Sequence, residues 1–229
     1  MNGCYLGIGG RFMAGVWSNY RVFIRQFFRR YHTTGAILPS GRPLASALCR
    51  YVRDGDGASR EILEVGPGTG AVTARLVQLL RPDDRLTLVE LNDDFIRHLN
   101  ERFATETDFK AVGDRCHLVH SRLEDLDGAG RYDRIVSGLP LNNFASAEVR
   151  QILECFARLA KPGGILSFFE YVAVRKAKRL VSGRSERQRL SEIGDLLGQL
   201  SKQHGIHRDC VLLNVTPAWV HHVRFGDGP

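Results

Sequence analysis

The sequence contains few cysteines and no long uninterrupted apolar segment. Its five cysteines among 229 residues are odd in number, widely scattered and never in a Cys-x-x-Cys pair. This pattern argues for reduced thiols and against a disulfide scaffold or a structural zinc site. No uncharged apolar run reaches the roughly 18 residues that span a bilayer, so no transmembrane helix is expected. With 43% hydrophobic and 25% charged residues, the chain has the composition of a folded domain.

Acidic residues are absent from the first 50 positions, which carry seven arginines. The middle of the chain, residues 51–170, holds 20 acidic and 15 basic residues, whereas residues 171–229 hold 10 basic and 5 acidic ones. The net charge of +7 therefore arises from the two ends. Basic ends favour a polyanionic partner, either a membrane or a nucleic acid.

An amphipathic helix is predicted between Arg11 and Tyr31. At 100° per residue its aromatic and aliphatic side chains fall on one broad arc, and its arginines fall opposite. Such a helix suits a membrane surface, with residues 1–32 as a separate segment. It could instead pack its apolar face on its own domain, or belong to a cleaved presequence. The basic stretch Arg175–Arg189 is either a second membrane contact, a lid or a solvated loop.

Strand and helix patterns alternate through most of the remaining chain, which predicts an α/β fold with a doubly wound, mostly parallel seven-stranded sheet. The predicted strands are 61–65, 85–91, 117–120, 132–137 and 165–171, followed by a closing antiparallel pair, 210–215 and 220–225. The predicted helices cover about 44–52, 71–80, 93–103, 147–159 and 188–204, and a turn is predicted at 161–164.

A glycine-rich loop closes the first predicted strand, in the segment Glu64-Val-Gly66-Pro-Gly68-Thr-Gly70. A tight turn that a ligand approaches closely needs residues without a Cβ, and the following helix start offers free amides. Glu90 ends the second strand, where a carboxylate can accept the hydroxyls of a ribose. The spacing GxGxG differs from the GxGxxG of nicotinamide enzymes. A nicotinamide enzyme and a plain glycine turn are the alternatives.

Together with Glu64 and Pro67, this loop resembles motif I of class I S-adenosylmethionine (SAM)-dependent methyltransferases. The resemblance implies that the loop holds the methionine part of SAM and that Glu90 holds its ribose. Ser121, Arg122 and Leu123 follow the third strand, where such enzymes usually contact the adenine ring; a simple loop is the alternative.

The segment Ser137-Gly138-Leu139-Pro140-Leu141 follows the fourth strand, where methyltransferases that act on nitrogen carry their acceptor motif. Adenine N-methyltransferases have an asparagine or aspartate at the first of these positions and an aromatic residue after the proline. This chain has Ser137 and Leu141 instead, which disfavours stacking and amide recognition of a nucleobase.

Four segments together resemble the bacterial phospholipid N-methyltransferases: Thr34–Ser40, Glu64–Gly70, Ser137–Leu141 and Asn214–Val220. The resemblance implies that residues 33–229 form a SAM-dependent methyltransferase domain of a cytoplasmic enzyme docked on the inner face of the cell membrane. It would methylate the amine of phosphatidylethanolamine or of an ornithine lipid one or more times, with no nucleic-acid partner. The alternatives are an enzyme like the rRNA adenine N6-dimethyltransferases and a non-catalytic, SAM-binding peripheral membrane protein.

Four residues are candidates for the methyl-transfer site. The backbone carbonyls of Gly138 and Leu139 could accept the hydrogens of the amine, and Tyr20 and Tyr171 could bring hydroxyls or ring faces to the cation. Either tyrosine could equally be an ordinary packing residue. No Cys/His/Asp cluster has the spacing of metal ligands, so no metal is expected.

Overall fold

The structure is a computed structural model that describes residues 41–55, 57–171, 183–212 and 217–226. The predicted helix Arg11–Tyr31, including Tyr20, lies outside the described residues, as do Thr34–Ser40 and residues 175–182 of the basic stretch. No helix in the described part of the chain is long and apolar enough to cross a bilayer.

Strands and helices alternate through the described residues. In chain order they are α1 (Arg42–Leu48), β1 (Glu61–Val65), α2 (Thr73–Leu79), β2 (Arg85–Glu90), α3 (Asp93–Thr105), α4 (Thr107–Lys110), β3 (Cys116–His120), β4 (Tyr132–Ser137), α5 (Ser146–Leu159), β5 (Ala160–Tyr171), α6 (Arg184–His204), β6 (Gly205–Val211) and β7 (Ala218–Arg224). Short 3₁₀ turns cover Gly113–Arg115 and Leu141–Asn143.

The seven strands form one sheet in the order β3-β2-β1-β4-β5-β7-β6. Strands β1 to β5 are parallel, and β7 is antiparallel to both β5 and β6. The predicted doubly wound, mostly parallel sheet with a closing antiparallel pair is thus confirmed. Strand order reverses between β1 and β4, and ligands of such sheets bind outside the carboxyl ends of the strands at this point.

Helices cover both faces of the sheet because alternate strand residues point to opposite sides. On one face, Ile62 and Leu86 share a buried cluster with Leu44 and Leu48 of α1 and Leu76 of α2. The strand residues that alternate with these, such as Leu63 and Ile135, are buried on the other face. There α5 packs on β5, and α6 packs on α5, β6 and β7. Burial of each large apolar side chain stabilises the fold by about 1.5–3 kcal/mol. The packed layers fix the strand ends that carry the site.

Several predicted boundaries differ from those of the structure. The predicted turn at 161–164 is a bend inside β5: the pairing with β4 shifts from Tyr132↔Ala160 to Arg134↔Ile165, and Gly163 has a φ of 74°. The same segment also pairs with the end of the chain, since Gly163 N–H donates to Phe225 O (2.8 Å) and Gly164 O accepts from Phe225 N–H (2.9 Å). Strand β6 begins at Gly205 rather than at Cys210, since the chain passes directly from α6 into the edge strand. Helix α6 itself begins at Arg184, four residues before the predicted Gln188.

Candidate functional site

Two loops meet at the point where the strand order reverses. Gly66 N–H, after β1, donates to Val89 O of β2 (2.9 Å), and Gly138 N–H, after β4, donates to Val65 O (2.8 Å). A Cβ on Gly138 would lie 2.5 Å from Gly66 O, so the two backbones touch. The glycine-rich loop and the predicted acceptor loop are therefore in direct contact at this edge of the sheet.

The glycine-rich loop needs its glycines for their backbone conformation. Gly66, Gly68 and Gly70 have φ angles of 69°, 57° and 78°, a region that side-chain-bearing residues rarely adopt. Gly70 N–H closes the turn by donating to Pro67 O (2.9 Å). The three glycines thus allow a turn at the end of β1 that residues with a Cβ would strain.

Glu90 is held at the end of β2 by backbone amides. Its Oε2 accepts from Gly68 N–H (3.1 Å), and its Oε1 accepts from Leu91 N–H (2.8 Å) and Asn92 N–H (2.9 Å). Burial raises the pKa of Glu90, and these amides oppose the shift by stabilising the carboxylate. A carboxylate has about four acceptor sites, so the three amides leave one on Oε2 for a hydroxyl.

Glu64 lies beneath the glycine-rich loop and is fully buried. Its Oε2 accepts from Thr73 Oγ1 (2.7 Å), whereas its buried Oε1 has no hydrogen-bond partner. Burial raises the pKa of Glu64 to about 8; the Thr73 hydrogen bond lowers it, the nearby Glu90 raises it and the Arg102 charge lowers it. A buried, unpaired carboxylate oxygen suits a ligand that brings a positive charge.

These residues fit SAM. Glu90 retains acceptor capacity for ribose hydroxyls, and the loop glycines have the positive φ angles of a tight turn after β1. The unpaired oxygen of Glu64 lies at the base of that loop. The positive charge of the ammonium or sulfonium group of SAM would compensate for the cost of burying this carboxylate oxygen.

The predicted adenine-contact residues lie at the same edge of the sheet. His120 pairs with Glu90, and Ser121, Arg122 and Leu123 follow it directly. Leu123 is buried, and Ser121 Oγ donates to Arg122 O (3.1 Å). Their contact with adenine stays a prediction.

The acceptor loop is apolar and tightly packed. Ser137 is buried and its Oγ accepts from Leu139 N–H (3.3 Å). Leu139 and Leu141 are both buried, and Leu139 O accepts from Leu141 N–H (3.0 Å). A Cβ on Gly66 would lie 2.7 Å from Leu139 Cδ2, so this side chain packs directly on the glycine-rich loop.

Arg189 of α6 holds the far end of this loop. Its guanidinium donates to Phe144 O and to Asn142 O (3.1 Å), and it pairs with Glu186 (2.6 Å). The carboxyl end of the basic stretch thus contacts the acceptor loop, a role that the sequence analysis did not assign.

Tyr171 ends β5 at the same edge of the sheet. Phe168 pairs with Ser137, and Tyr171 comes three residues further along β5. Its ring packs edge-on against Phe169, with 4.9 Å between the ring centroids. The structure therefore brings Gly138, Leu139 and Tyr171 to one edge, while their catalytic roles stay predictions.

The sequence analysis missed three side chains that shape the site: Thr73, Arg102 and Arg189. Thr73 bonds Glu64, and Arg102 donates to the carbonyls of Thr69 and Gly70. These contacts join elements that are distant in sequence, and no local pattern indicates them. In contrast, the Asn92 cap, which accepts from Asp94 N–H (2.8 Å), is signalled by an asparagine before two acidic residues.

One buried polar array lies apart from this edge. His222 Nδ1 shares a hydrogen bond with Ser167 Oγ (2.8 Å), and its Nε2 lies 3.2 Å from Asp209 Oδ2, which also accepts from Arg50 Nε (2.7 Å). Ser167 and His222 are 3% and 0% exposed, so no substrate reaches this serine. The array joins β5, β6, β7 and the residues after α1. Among the described residues, no group of three His, Cys, Asp or Glu side chains is arranged to hold a metal.

The sequence is similar to those of known methyltransferases. Residues 62–164 match a family model described as a methyltransferase domain. An ornithine lipid N-methyltransferase from Singulisphaera acidiphila is 29% identical over 147 residues, 64% of this chain and 74% of that protein. A ribosomal RNA small subunit methyltransferase A from Synechococcus sp. is 38% identical over 82 residues, 35% of this chain and 28% of that protein.

A solved structure shows the same fold. The 1,6-didemethyltoxoflavin-N1-methyltransferase of Burkholderia thailandensis, solved with its substrate and S-adenosylhomocysteine, superposes with a TM-score of 0.61 at 18% identity, over 99% of this chain and 94% of that one. The sheet order, the glycine-rich loop with its partner Glu90 and the match over residues 62–164 lead to one conclusion. The chain is a SAM-dependent methyltransferase with the class I fold, and SAM is its cofactor.

Proposed function

We propose that the enzyme transfers methyl groups to the head-group amine of a membrane aminolipid, either phosphatidylethanolamine or an ornithine lipid. The observation that carries this proposal is the similarity to the ornithine lipid N-methyltransferase, which extends over 74% of that protein. The similarity to rRNA methyltransferases covers less of those proteins: 28% of the one from Synechococcus and 50% of a probable one from Haloarcula marismortui.

The composition of the acceptor loop supports an aliphatic amine over a nucleobase. Enzymes that act on an extruded base stack it between aromatic or apolar side chains and read its polar edge. Here Leu141 follows Pro140 where adenine methyltransferases place an aromatic, and both Leu139 and Leu141 are buried. Ser137, which replaces the amide or carboxylate, is fully buried.

Methyl transfer requires a neutral amine aimed at the methyl carbon. Bound SAM supplies the electrophilic methyl group. A primary ammonium has a pKa on the order of 10, so the amine must first lose a proton, to water or to a base. The apolar loop around Leu139 would favour the neutral amine by excluding water. Backbone carbonyls at Gly138 and Leu139, with the ring of Tyr171, would orient it, and orientation can supply up to roughly 7–11 kcal/mol.

Membrane docking at the inner face of the cell membrane is part of the same proposal. The first 50 residues hold seven arginines and no acidic residue, and each basic group near an anionic surface contributes about 1 kcal/mol. We expect deletion of residues 1–31 to abolish sedimentation with anionic liposomes, while SAM binding is retained. Liposomes of neutral lipid serve as the control. Full binding by the truncated protein would place the membrane contact elsewhere.

The acceptor is tested directly with methyl-labelled SAM. The purified enzyme is incubated with phosphatidylethanolamine liposomes, ornithine-lipid micelles or unmodified rRNA, and the products are resolved by mass. A Glu90→Ala variant, which lacks the predicted ribose ligand, controls for label that does not depend on the site.

The outcomes separate the candidate functions. Label in one lipid identifies the head group, and mono-, di- or trimethyl products give the number of transfers. Label in rRNA alone would overturn the lipid proposal and make the basic ends a nucleic-acid surface. SAM binding without transfer to any acceptor would favour a non-catalytic membrane protein.

A further inference from the structure

Arg102 reaches from α3 to the glycine-rich loop. Its Nη1 donates to Thr69 O (2.9 Å) and to Gly70 O (2.8 Å). These carbonyls belong to the last two residues of the loop. The side chain is 16% exposed, so the two hydrogen bonds are largely shielded from water.

The guanidinium is fixed on its other sides as well. Its Nε and Nη2 donate to the two carboxylate oxygens of Glu106, at 2.6 Å and 2.8 Å. Its plane lies over the ring of Phe109, 4.2 Å from the centroid. Four of the five N–H donors of a guanidinium are thereby used, and the forked geometry leaves little freedom of orientation.

Arg102 also fills the space beside the loop. A Cβ on Gly70 would lie 2.6 Å from Arg102 Nη1 and 2.9 Å from Leu99 Cδ2. The left-handed conformation of Gly70, at a φ of 78°, is thus enclosed by side chains of α3. Gly70 O also accepts from Ala74 N–H of α2 (2.9 Å), whereas Arg102 is the side chain that reaches this carbonyl from α3.

Helix α3 links this contact to the other end of the site. It begins immediately after Asn92, whose amide donates to Glu90 Oε1 (2.9 Å). Glu90 in turn holds Gly68 N–H (3.1 Å). The loop is therefore held at Gly68 by the residue before the helix and at Thr69 and Gly70 by a residue within it.

We propose that Arg102 is a positioning residue for SAM: it does not touch the cofactor but holds the glycine-rich loop in its binding conformation through the Thr69 and Gly70 carbonyls. This role requires only that the enzyme binds SAM, and it is the same whether the methyl acceptor is a lipid, an RNA or another molecule. Its test therefore does not depend on the acceptor proposed above.

The test compares Arg102→Met with Arg97→Met. Arg97 lies on the same helix and pairs with Asp94 at an exposed position, with side chains 75% and 72% exposed, so it provides the matched control. Calorimetric titration with SAM and with S-adenosylhomocysteine gives the affinities. We expect Arg102→Met to weaken both by about 10- to 100-fold and Arg97→Met to change neither.

Two further readouts separate positioning from a general loss of structure. With an acceptor that the enzyme methylates, Arg102→Met should raise KM for SAM while kcat at saturating SAM stays within about threefold of wild type. Millimolar methylguanidinium should restore SAM affinity to Arg102→Ala and leave Arg97→Ala unchanged. The proposal would be overturned if Arg102→Met lowered kcat and kcat/KM for SAM by the same factor, so that KM stayed unchanged, and if methylguanidinium did not restore SAM affinity to Arg102→Ala.

Wild-type SAM affinity in a folded Arg102→Met variant would also overturn it. If that variant does not fold, Arg102→Lys decides, because an ammonium cannot reproduce the fork between the two carbonyls and Glu106. Several-fold weaker SAM binding with retained kcat supports the proposal. Unchanged affinity in Arg102→Lys refutes it.

Discussion

Glu64 should make the cofactor-free enzyme less stable at alkaline pH than at acid pH. Its carboxyl is fully buried, and burial raises its pKa from 4.5 to about 8. Between these values the folded state holds a proton that the unfolded state has lost, so the free energy of unfolding falls as the pH rises. The full contribution is present below pH 4.5 and is lost above pH 8; a shift of this size corresponds to on the order of 5 kcal/mol.

The substitution Glu64→Gln removes this titration, because an amide resembles the protonated carboxyl in shape and stays neutral. We expect the free energy of unfolding of the variant, relative to wild type, to increase by a few kcal/mol between pH 5 and pH 9. Urea unfolding followed by circular dichroism across this range measures the difference. Glu101→Gln, the same change at an exposed position of α3, is the control.

Binding of SAM should make the carboxyl of Glu64 lose its proton, which the amide of Glu64→Gln cannot do. A bound cation near Glu64 favours the carboxylate, so wild type should release more protons on binding SAM than Glu64→Gln does. The amino group of SAM titrates in the same range, so the two proteins must be compared by calorimetry in matched buffers of different ionisation enthalpy. A pH-independent difference in unfolding free energy would refute the reasoning, because the carboxyl would then titrate near its ordinary value.

Four further predictions follow from single contacts. Glu90→Ala should weaken SAM binding at least about tenfold by calorimetry, since it removes the acceptor of the ribose hydroxyls; unchanged affinity would remove Glu90 from the site. Gly138→Ala should lower the free energy of unfolding by about 1–3 kcal/mol in urea and weaken SAM binding, because its Cβ would lie 2.5 Å from Gly66 O; an unaffected variant would contradict the contact between the loops. Burial lowers the pKa of His222 to about 4, so protonation favours the unfolded state as the pH falls from 6.5 to 4. His222→Gln should therefore lose less free energy of unfolding over this range than wild type does. An equal loss in both proteins, measured by urea unfolding, would show that the histidine titrates normally. Tyr171→Phe should reduce acceptor turnover more than SAM affinity in the labelled-methyl assay; full activity would return Tyr171 to a packing role.

The sheet could be predicted from the sequence because its signals are local. Strands such as Glu61–Val65 and Tyr132–Ser137 contain short apolar segments, Ile62-Leu63 and Ile135-Val136, and are followed by glycine-containing loops; their limits match the prediction. The predicted turn at 161–164 is present as a bend, but it lies inside β5 because Gly163 and Gly164 also pair with Phe225, over sixty residues away. A proline and two glycines indicate the bend, whereas a distant partner strand leaves no local signal.

The proximity of the predicted cofactor residues could be deduced for the same reason. Glu64 and the three loop glycines lie within seven residues of sequence, and Glu90 lies at the end of the next strand, so topology alone brings them together. Thr73, Arg102 and Arg189 could not be predicted, because each acts through a contact that only helix packing creates.

The residues of the cofactor side lie close together in sequence, whereas those of the proposed acceptor side are spread over a longer stretch. The match to the methyltransferase domain model therefore covers the first set more fully than the second. Among the described residues, the cofactor side is built from Glu64 to Glu106, within the 62–164 match to the methyltransferase domain model. The proposed acceptor side also includes Tyr171 and the Asn142 carbonyl that Arg189 holds, and both Tyr171 and Arg189 lie beyond that match. Similarity over residues 62–164 therefore supports SAM use and methyl transfer, and it does not cover these two side chains. Exchanging α6 between this enzyme and a relative should accordingly change the acceptor preference more than the affinity for SAM.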